Sequence, residues 1–257
     1  MMHNLLLILL LVLLEGGCAC GGDAAADDHV VRPRGEQVDF GASLRARMEE
    51  ASRQREAAAL EFSRQYRERT ERAERESRQL RDTMLAFGLV KSPWIRTDQL
   101  RREYKGHVTL VADAIQRALV PFKDEPLVSV ELDAYLIAAI AWHESSWADA
   151  VIRGERRGPR GEIGLVQILP GGVCARIPTE EGRAPNLLDT VENVQAGIRC
   201  LRMIRDDMYG GEGDVWRWLA SYASGKLWPD GWASVEGPTG FRGVYRALLQ
   251  LRDRPVG

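Results

Sequence analysis

At 257 residues the chain has room for one or two domains and a substantial core. Its 35 basic and 37 acidic residues nearly cancel, which excludes a global pull towards nucleic acid. Seven Trp, all from Trp94 onwards, supply flat apolar faces fit for core packing or for stacking sugar rings.

Leu5 to Leu14 is an unbroken run of Leu, Ile and Val. It falls short of the roughly 20 residues a membrane span needs and fits the apolar region of a secretory signal. Small residues follow, and Cys18, with Cys20 second, stands where a bacterial lipoprotein signal has its lipidated cysteine. Glu15 departs from the aliphatic residue usual three positions earlier. Residues 1–20 are read as an export signal with Cys18 as the candidate lipidation site. That would place the protein in the periplasm or cell envelope, with a membrane contact through the anchor. Residues 21–43, rich in Gly, Ala and Asp, read as a flexible tether.

Residues 44–88 change composition sharply to Arg, Glu, Gln and Ala. Opposite charges recur four apart, as in Glu49 with Arg53 and Glu71 with Arg75, and each such pair adds about 0.2–0.5 kcal/mol to a helix. The apolar seam is thin (Leu44, Met48, Ala51, Ala58, Phe62, Tyr66, Ala73, Leu80, Met84) and breaks at Arg55, Arg69 and Ser77. The spacing predicts a long exposed helix. It acts as a solvated spacer or as a weak coiled coil for self-association.

Residues 105–257 read as a mainly α domain. Val108 to Val120 has helical amphipathicity and stops near Pro121. Ser129 is the expected cap of the next helix, with Asp133 in its first turns. That helix, Leu132 to Trp142, is apolar nearly all round and is expected to be the buried central one. A Gly- and Arg-rich loop spans Arg153 to Gly161. Helices are then predicted for Asp189–Ile204, Asp214–Tyr222 and Phe241–Leu251. No convincing run of alternating strands occurs.

Glu144 closes the apolar helix, in Ala141-Trp142-His143-Glu144-Ser145-Ser146-Trp147. A carboxyl where apolar side chains converge is costly to ionise, so its pKa rises and it can serve as a general acid near neutral pH. His143-Glu144 invites a zinc-protease reading, but Trp147 stands where the second His is required. No nucleophile elbow and no phosphate-cradling Gly loop is present. No metal and no cofactor is expected. Cys174 and Cys200 lack companions at zinc-ligand spacing. In an oxidising compartment they pair, closing a loop worth about 3–4 kcal/mol in the chain-entropy model; otherwise they are two buried thiols. Downstream, Gly161-Glu162-Ile163-Gly164-Leu165-Val166-Gln167-Ile168 offers a loop in which two Gly let backbone approach a ligand. Gln167 supplies both a donor and an acceptor.

Four motifs in order carry a family resemblance. They are Glu144-Ser145; Gly164-Leu165-Val166-Gln167, followed by Pro170; Asn186-Leu187-Leu188-Asp189 with Asn193, Gly197 and Leu201; and Ser221-Tyr222-Ala223-Ser224-Gly225. From about Ala138 to Leu251 the chain resembles the catalytic domain of the soluble-lytic-transglycosylase family, with its goose-lysozyme-like fold. Val166 stands for the family's Met, and Ala223 for its Asn.

The resemblance implies cleavage of the β-1,4 bond between N-acetylmuramic acid and N-acetylglucosamine in peptidoglycan glycan strands. Glu144 would be the single general acid and base, giving a 1,6-anhydro product. Ser145, Gly164, Gln167, Tyr222 and Ser224 would contact the substrate, and Tyr222 would hydrogen-bond Glu144. Two other readings stay open. Glu162, where the family often has a small residue, would as a second carboxylate make the protein an inverting hydrolase; otherwise it is a loop Glu paired with Arg157 or Arg160. Alternatively the fold persists as a non-catalytic glycan-binding or scaffold protein, a reading that Val166 and Ala223 motivate.

Overall fold

The computed structural model describes residues 40–93, 95–123, 132–225, 235 and 237–254. The export signal with Cys18, most of the tether, Ser129, Trp94, Trp228 and Trp232 lie outside the described residues. The chain divides into two units, Met1–Leu60 and Glu61–Gly257. Helix α1, Phe40–Lys91, has no Pro and no Gly between Leu44 and Phe87, so nothing interrupts its hydrogen bonding. In the first unit its side chains from Ala42 are almost all exposed, Leu44, Met48 and Leu60 included. Arg53 pairs there with Glu50 at 3.0 Å rather than with Glu49. Such surface pairs add little in water.

In the second unit Phe62 and Tyr66 are exposed, and the helix changes character further on. Leu80, Met84 and Phe87, at i, i+4 and i+7, are fully buried in the same core as the later helices. The predicted seam is therefore of two kinds, bare where Arg55 and Arg69 interrupt it and buried from Leu80. Gly88 is required by a close approach, because a Cβ there would overlap the Tyr104 ring. The Tyr104 hydroxyl is buried without a partner, and burial pushes its pKa up to about 12. Gly88→Ala should lower unfolding stability by about 1–3 kcal/mol, the cost of overpacking a filled site, as read from a urea titration.

α2, Asp98–Leu119, starts well before the expected Val108 because Thr97 caps it, its side chain accepting from the Leu100 amide at 3.2 Å. α3 is Ala134–Ser145. Its cap is Asp133, not Ser129: one carboxylate oxygen accepts from the Leu136 amide at 2.7 Å. The other accepts from the Tyr245 hydroxyl at 3.0 Å, tying the start of α3 to the last helix. Leu136 through Ala141 are all buried, as the all-round apolar pattern requires. Burying the Leu and Ile side chains contributes about 1.5–3 kcal/mol each.

Two single-turn helices, α4 (Asp149–Ile152) and α5 (Val173–Arg176), interrupt the loops that follow. α6, Thr190–Met203, is capped by Asp189, and α7, Val215–Ser224, by Asp214. α8 is Phe241–Arg252. α3 packs against α8 and α2, α2 against α6, and α5 and α7 against α6. Among the described residues there is no strand, only an isolated antiparallel bridge between Ile163 and Ile168. The domain is mainly α, as its sequence periodicity predicts.

Candidate active site

Glu144 stands in the last turn of α3, where the exposed carbonyls of the helix end already disfavour a negative charge. The chain leaves the helix through two successive left-handed residues, Ser146 and Trp147, both at φ 51°. Non-glycine residues resist this conformation, and such strain persists only where the surroundings enforce it. Here the Ser146 amide returns to the Trp142 carbonyl at 2.7 Å and the Trp147 indole donates to the Ala138 carbonyl at 3.1 Å. A ring nitrogen of His107, on α2, meets the Trp147 carbonyl. Trp147 is fully buried, edge-on to Trp142 and Phe87 at 4.8 and 5.9 Å. These two Trp clamp the end of the helix rather than stack on sugars.

The glycine loop is held from α6. Its ends pair through the Ile163–Ile168 bridge, with N···O distances of 2.9 and 3.0 Å. Asn193, wholly buried, accepts from the Val166 amide and donates to the Ile163 carbonyl, both at 3.0 Å. Gly164 lies at φ +80° directly against Asn193, so a side chain there is excluded twice over. Gly197 likewise leaves room for Val166 and for the Tyr222 hydroxyl. The spacing Asn193, Gly197 thus works as a peg followed by a groove. Gln167 is the third left-handed non-glycine residue, at φ 50°, and all three positions flank Glu144 or its loop. Nearby, Glu192 holds the segment before α6. Its carboxylate takes the Arg183 guanidinium at 2.7 and 2.8 Å and the Asn186 amide at 2.7 Å, which lower its pKa to about 2.

A cavity of about 190 Å³ brings Glu144, Glu162, Gln167 and Tyr222 together with Arg160 and Ala223, under a rim of Leu169, Gly172, Val173 and Cys174. Glu144 is half-buried and has no hydrogen-bond partner among the described residues. Burial, then the charge of Glu162, raises its pKa to about 7, against a smaller opposing pull from Arg160. Glu162 goes the other way. Burial alone would raise its pKa, but backbone amides and the Arg160 guanidinium outweigh it and hold the carboxyl ionised. Arg160 grips both oxygens, its Nε at 2.6 Å and its amide at 2.8 Å. Two carboxyls pushed apart in this way are an acid and a fixed charge at one site. Glu162→Gln should move the Glu144 titration below about 7 while leaving it above the ordinary range, since burial remains; a side-chain NMR titration reads this.

Other expected contacts fall elsewhere. The Ser145 hydroxyl is buried and donates back to the Ala141 carbonyl at 2.7 Å. Gly164 faces Asn193 within the loop, and neither it nor Ser224 lines the cavity. The Tyr222 hydroxyl spends its proton on the Val166 carbonyl at 2.6 Å, not on Glu144. Its pKa is raised well above the ordinary value by burial first and by Glu144 second, which places it within reach of the acid's charge. Cys174 and Cys200 form a disulfide, with Cα atoms 5.0 Å apart. The rim residues Leu169 and Val173 carried no periodicity or motif that would have singled them out. A larger groove of about 880 Å³, along α2 and the start of α6, contains none of the expected site residues.

A helical domain presenting one carboxyl of raised pKa beside fixed hydrogen-bonding groups has the makings of an acid–base site. Residues 125–237, under half of the chain, match the transglycosylase SLT domain family. The domain around Glu144 is thus an SLT-family, lysozyme-like domain. Neither the curated proteins nor the solved structures contain a match.

Proposed function

We propose that the protein is a lytic transglycosylase acting on peptidoglycan. The observation that carries this reading is Glu144: a carboxyl without a hydrogen-bond partner among the described residues, with its pKa raised to about 7, lining a cavity in an SLT-family domain. Near neutral pH a large share of Glu144 holds its proton, ready for the glycosidic oxygen between N-acetylmuramic acid and N-acetylglucosamine. As that bond breaks, the substrate's own N-acetyl group supports the cationic ring carbon, so no carboxylate nucleophile is needed. Glu144, now ionised, takes the proton of the muramic 6-hydroxyl, which closes on the same carbon as a 1,6-anhydro ring. Gln167, fixed by its own Nε2 donating to the Gly164 carbonyl at 2.7 Å, keeps its amide oxygen for the substrate. Tyr222 braces the loop through Val166 and thereby shapes the cavity beside the acid.

A second reading, a water-using hydrolase, draws on Glu162, an ionised carboxylate on the same cavity. Both of its oxygens are engaged by Arg160, which favours a stationary charge near the reacting ring over a base that must accept a proton. We place the protein, through residues 1–20 and Cys18, in the cell envelope on a lipid anchor. Self-association through residues 44–88 would draw, within the second unit, on the exposed Phe62 and Tyr66. The test of activity is clearing of an insoluble peptidoglycan suspension by the purified protein. No clearing, with a working muramidase as control, defeats the enzyme reading in favour of a glycan-binding scaffold.

A further inference from the structure

The rim opposite Glu144 is built unlike the rest of the site. Leu169 to Cys174 contributes Leu169, Gly172, Val173 and Cys174 to the cavity lining. Val173 is 58% exposed and Leu169 37%. α5, the single turn this segment leads into, has no buried residue and no side-chain cap. Among the described residues its hydrogen bonds close on the segment itself: the Gly172 amide to the Leu169 carbonyl at 3.0 Å, and Arg176 Nε to the Gly171 carbonyl at 3.0 Å. Cys174, Ala175 and Ile177 pack against the core with only part of their surface buried, and the covalent tie is the disulfide from Cys174 to Cys200, which is wholly buried on α6. α6 is also the helix whose Asn193 pegs the glycine loop. One helix, α6, therefore holds two of the segments that line the cavity, the glycine loop by hydrogen bonds and the rim by a covalent link.

We propose that the Cys174–Cys200 disulfide is a positioning element for glycan binding: it holds the Leu169–Cys174 rim over the cavity, and its reduction releases the rim while the acid and its loop stay in place. Reduction by a dithiol breaks the S–S bond. The dithiol supplies two electrons and two protons, leaving two protein thiols and its own disulfide. Freeing a segment that must be reordered on binding costs affinity rather than chemistry. Glu144 on α3 and Gln167 on the pegged loop do not depend on this bond.

The inference rests on the proposed glycan substrate, but its first readout does not. Amide hydrogen exchange is compared in oxidised and dithiol-reduced protein. Faster exchange confined to 169–177, with α3, α6 and the 163–168 loop unchanged, is the expected result. Calorimetric titration with a β-1,4-linked N-acetylglucosamine hexamer then reads binding without requiring cleavage. About tenfold weaker affinity on reduction is expected. On peptidoglycan, KM should rise with kcat nearly constant. The variant pair Cys174→Ala with Cys200→Val, which keeps the site apolar, should reproduce the reduced protein. Unchanged exchange and affinity would overturn the proposal. So would global unfolding of both the reduced protein and the variant pair, which would make the bridge a staple of the core. If rim exchange and hexamer affinity respond but no peptidoglycan is cleaved, the positioning role stands and the enzymatic reading falls.

Discussion

Glu144→Gln should lower turnover of peptidoglycan by about 10²–10⁴-fold, the usual range for a general acid, with KM little changed. The amide keeps the shape and the hydrogen-bonding reach but holds no transferable proton. Because Glu144 makes no hydrogen bond among the described residues, the fold loses no partner. Its pKa of about 7 stands above the ordinary 4.5, so the folded state holds an extra proton between those values. The stability this contributes is full below about pH 4.5 and is lost as pH rises through about 7. The variant, which cannot ionise, should therefore match or exceed the native protein in thermal stability at pH 8. In the native protein the proposed activity should fall as pH rises through about 7, since the acid must begin protonated. Normal turnover in Glu144→Gln, measured as release of soluble fragments, would remove the acid from the account.

Asn193→Ala should cost more stability than any other single change at the site, about 3–5 kcal/mol. Two buried backbone groups, the Val166 amide and the Ile163 carbonyl, would lose their partners, each at about 1–3 kcal/mol, and a cavity would open beside Gly164. Activity should fall with stability, because the loop that carries Gln167 and receives the Tyr222 hydroxyl would lose its peg. Urea unfolding with the slope held constant measures the first effect, and peptidoglycan clearing at low temperature the second. Asn193→Asp should recover part of the loss, since its carboxylate can still accept from Val166 but cannot donate to Ile163.

Much of this architecture is legible in the sequence. The all-round apolar run before Glu144 has one stable place in a helical domain, the centre, and Leu136 to Ala141 lie there. The apolar spacing places the starts of α6 and α7 at Asp189 and Asp214, which turn out to cap them. The cap of α3 is harder to read, because Ser129 and Asp133 both suit the role; the Leu136 amide and the Tyr245 hydroxyl both bond to Asp133. The acid's position and its raised pKa follow from the same apolar run. The partners do not: a motif records that Ser145 and Tyr222 matter, not that one turns into its own helix and the other supports a carbonyl. The left-handed turn at Ser146 and Trp147 has no glycine to betray it. Its enforcement by His107, 40 residues before Trp147, is a tertiary effect. The rim around Val173 is silent for the same reason, since it is held by a bond to α6 and not by a pattern of its own.

Glu162 remains the residue on which the chemistry divides. With its pKa lowered beside a Glu144 whose pKa is raised to about 7, it fits a fixed countercharge for a cationic ring or, if freed from Arg160, a base for water. Mass spectrometry of the fragments released from purified glycan strands separates the two most directly. We predict muramic ends one water lighter than those left by hydrolysis, the mark of the 1,6-anhydro ring. Fragments ending in ordinary reducing muramic acid would contradict the account and make the protein a hydrolase.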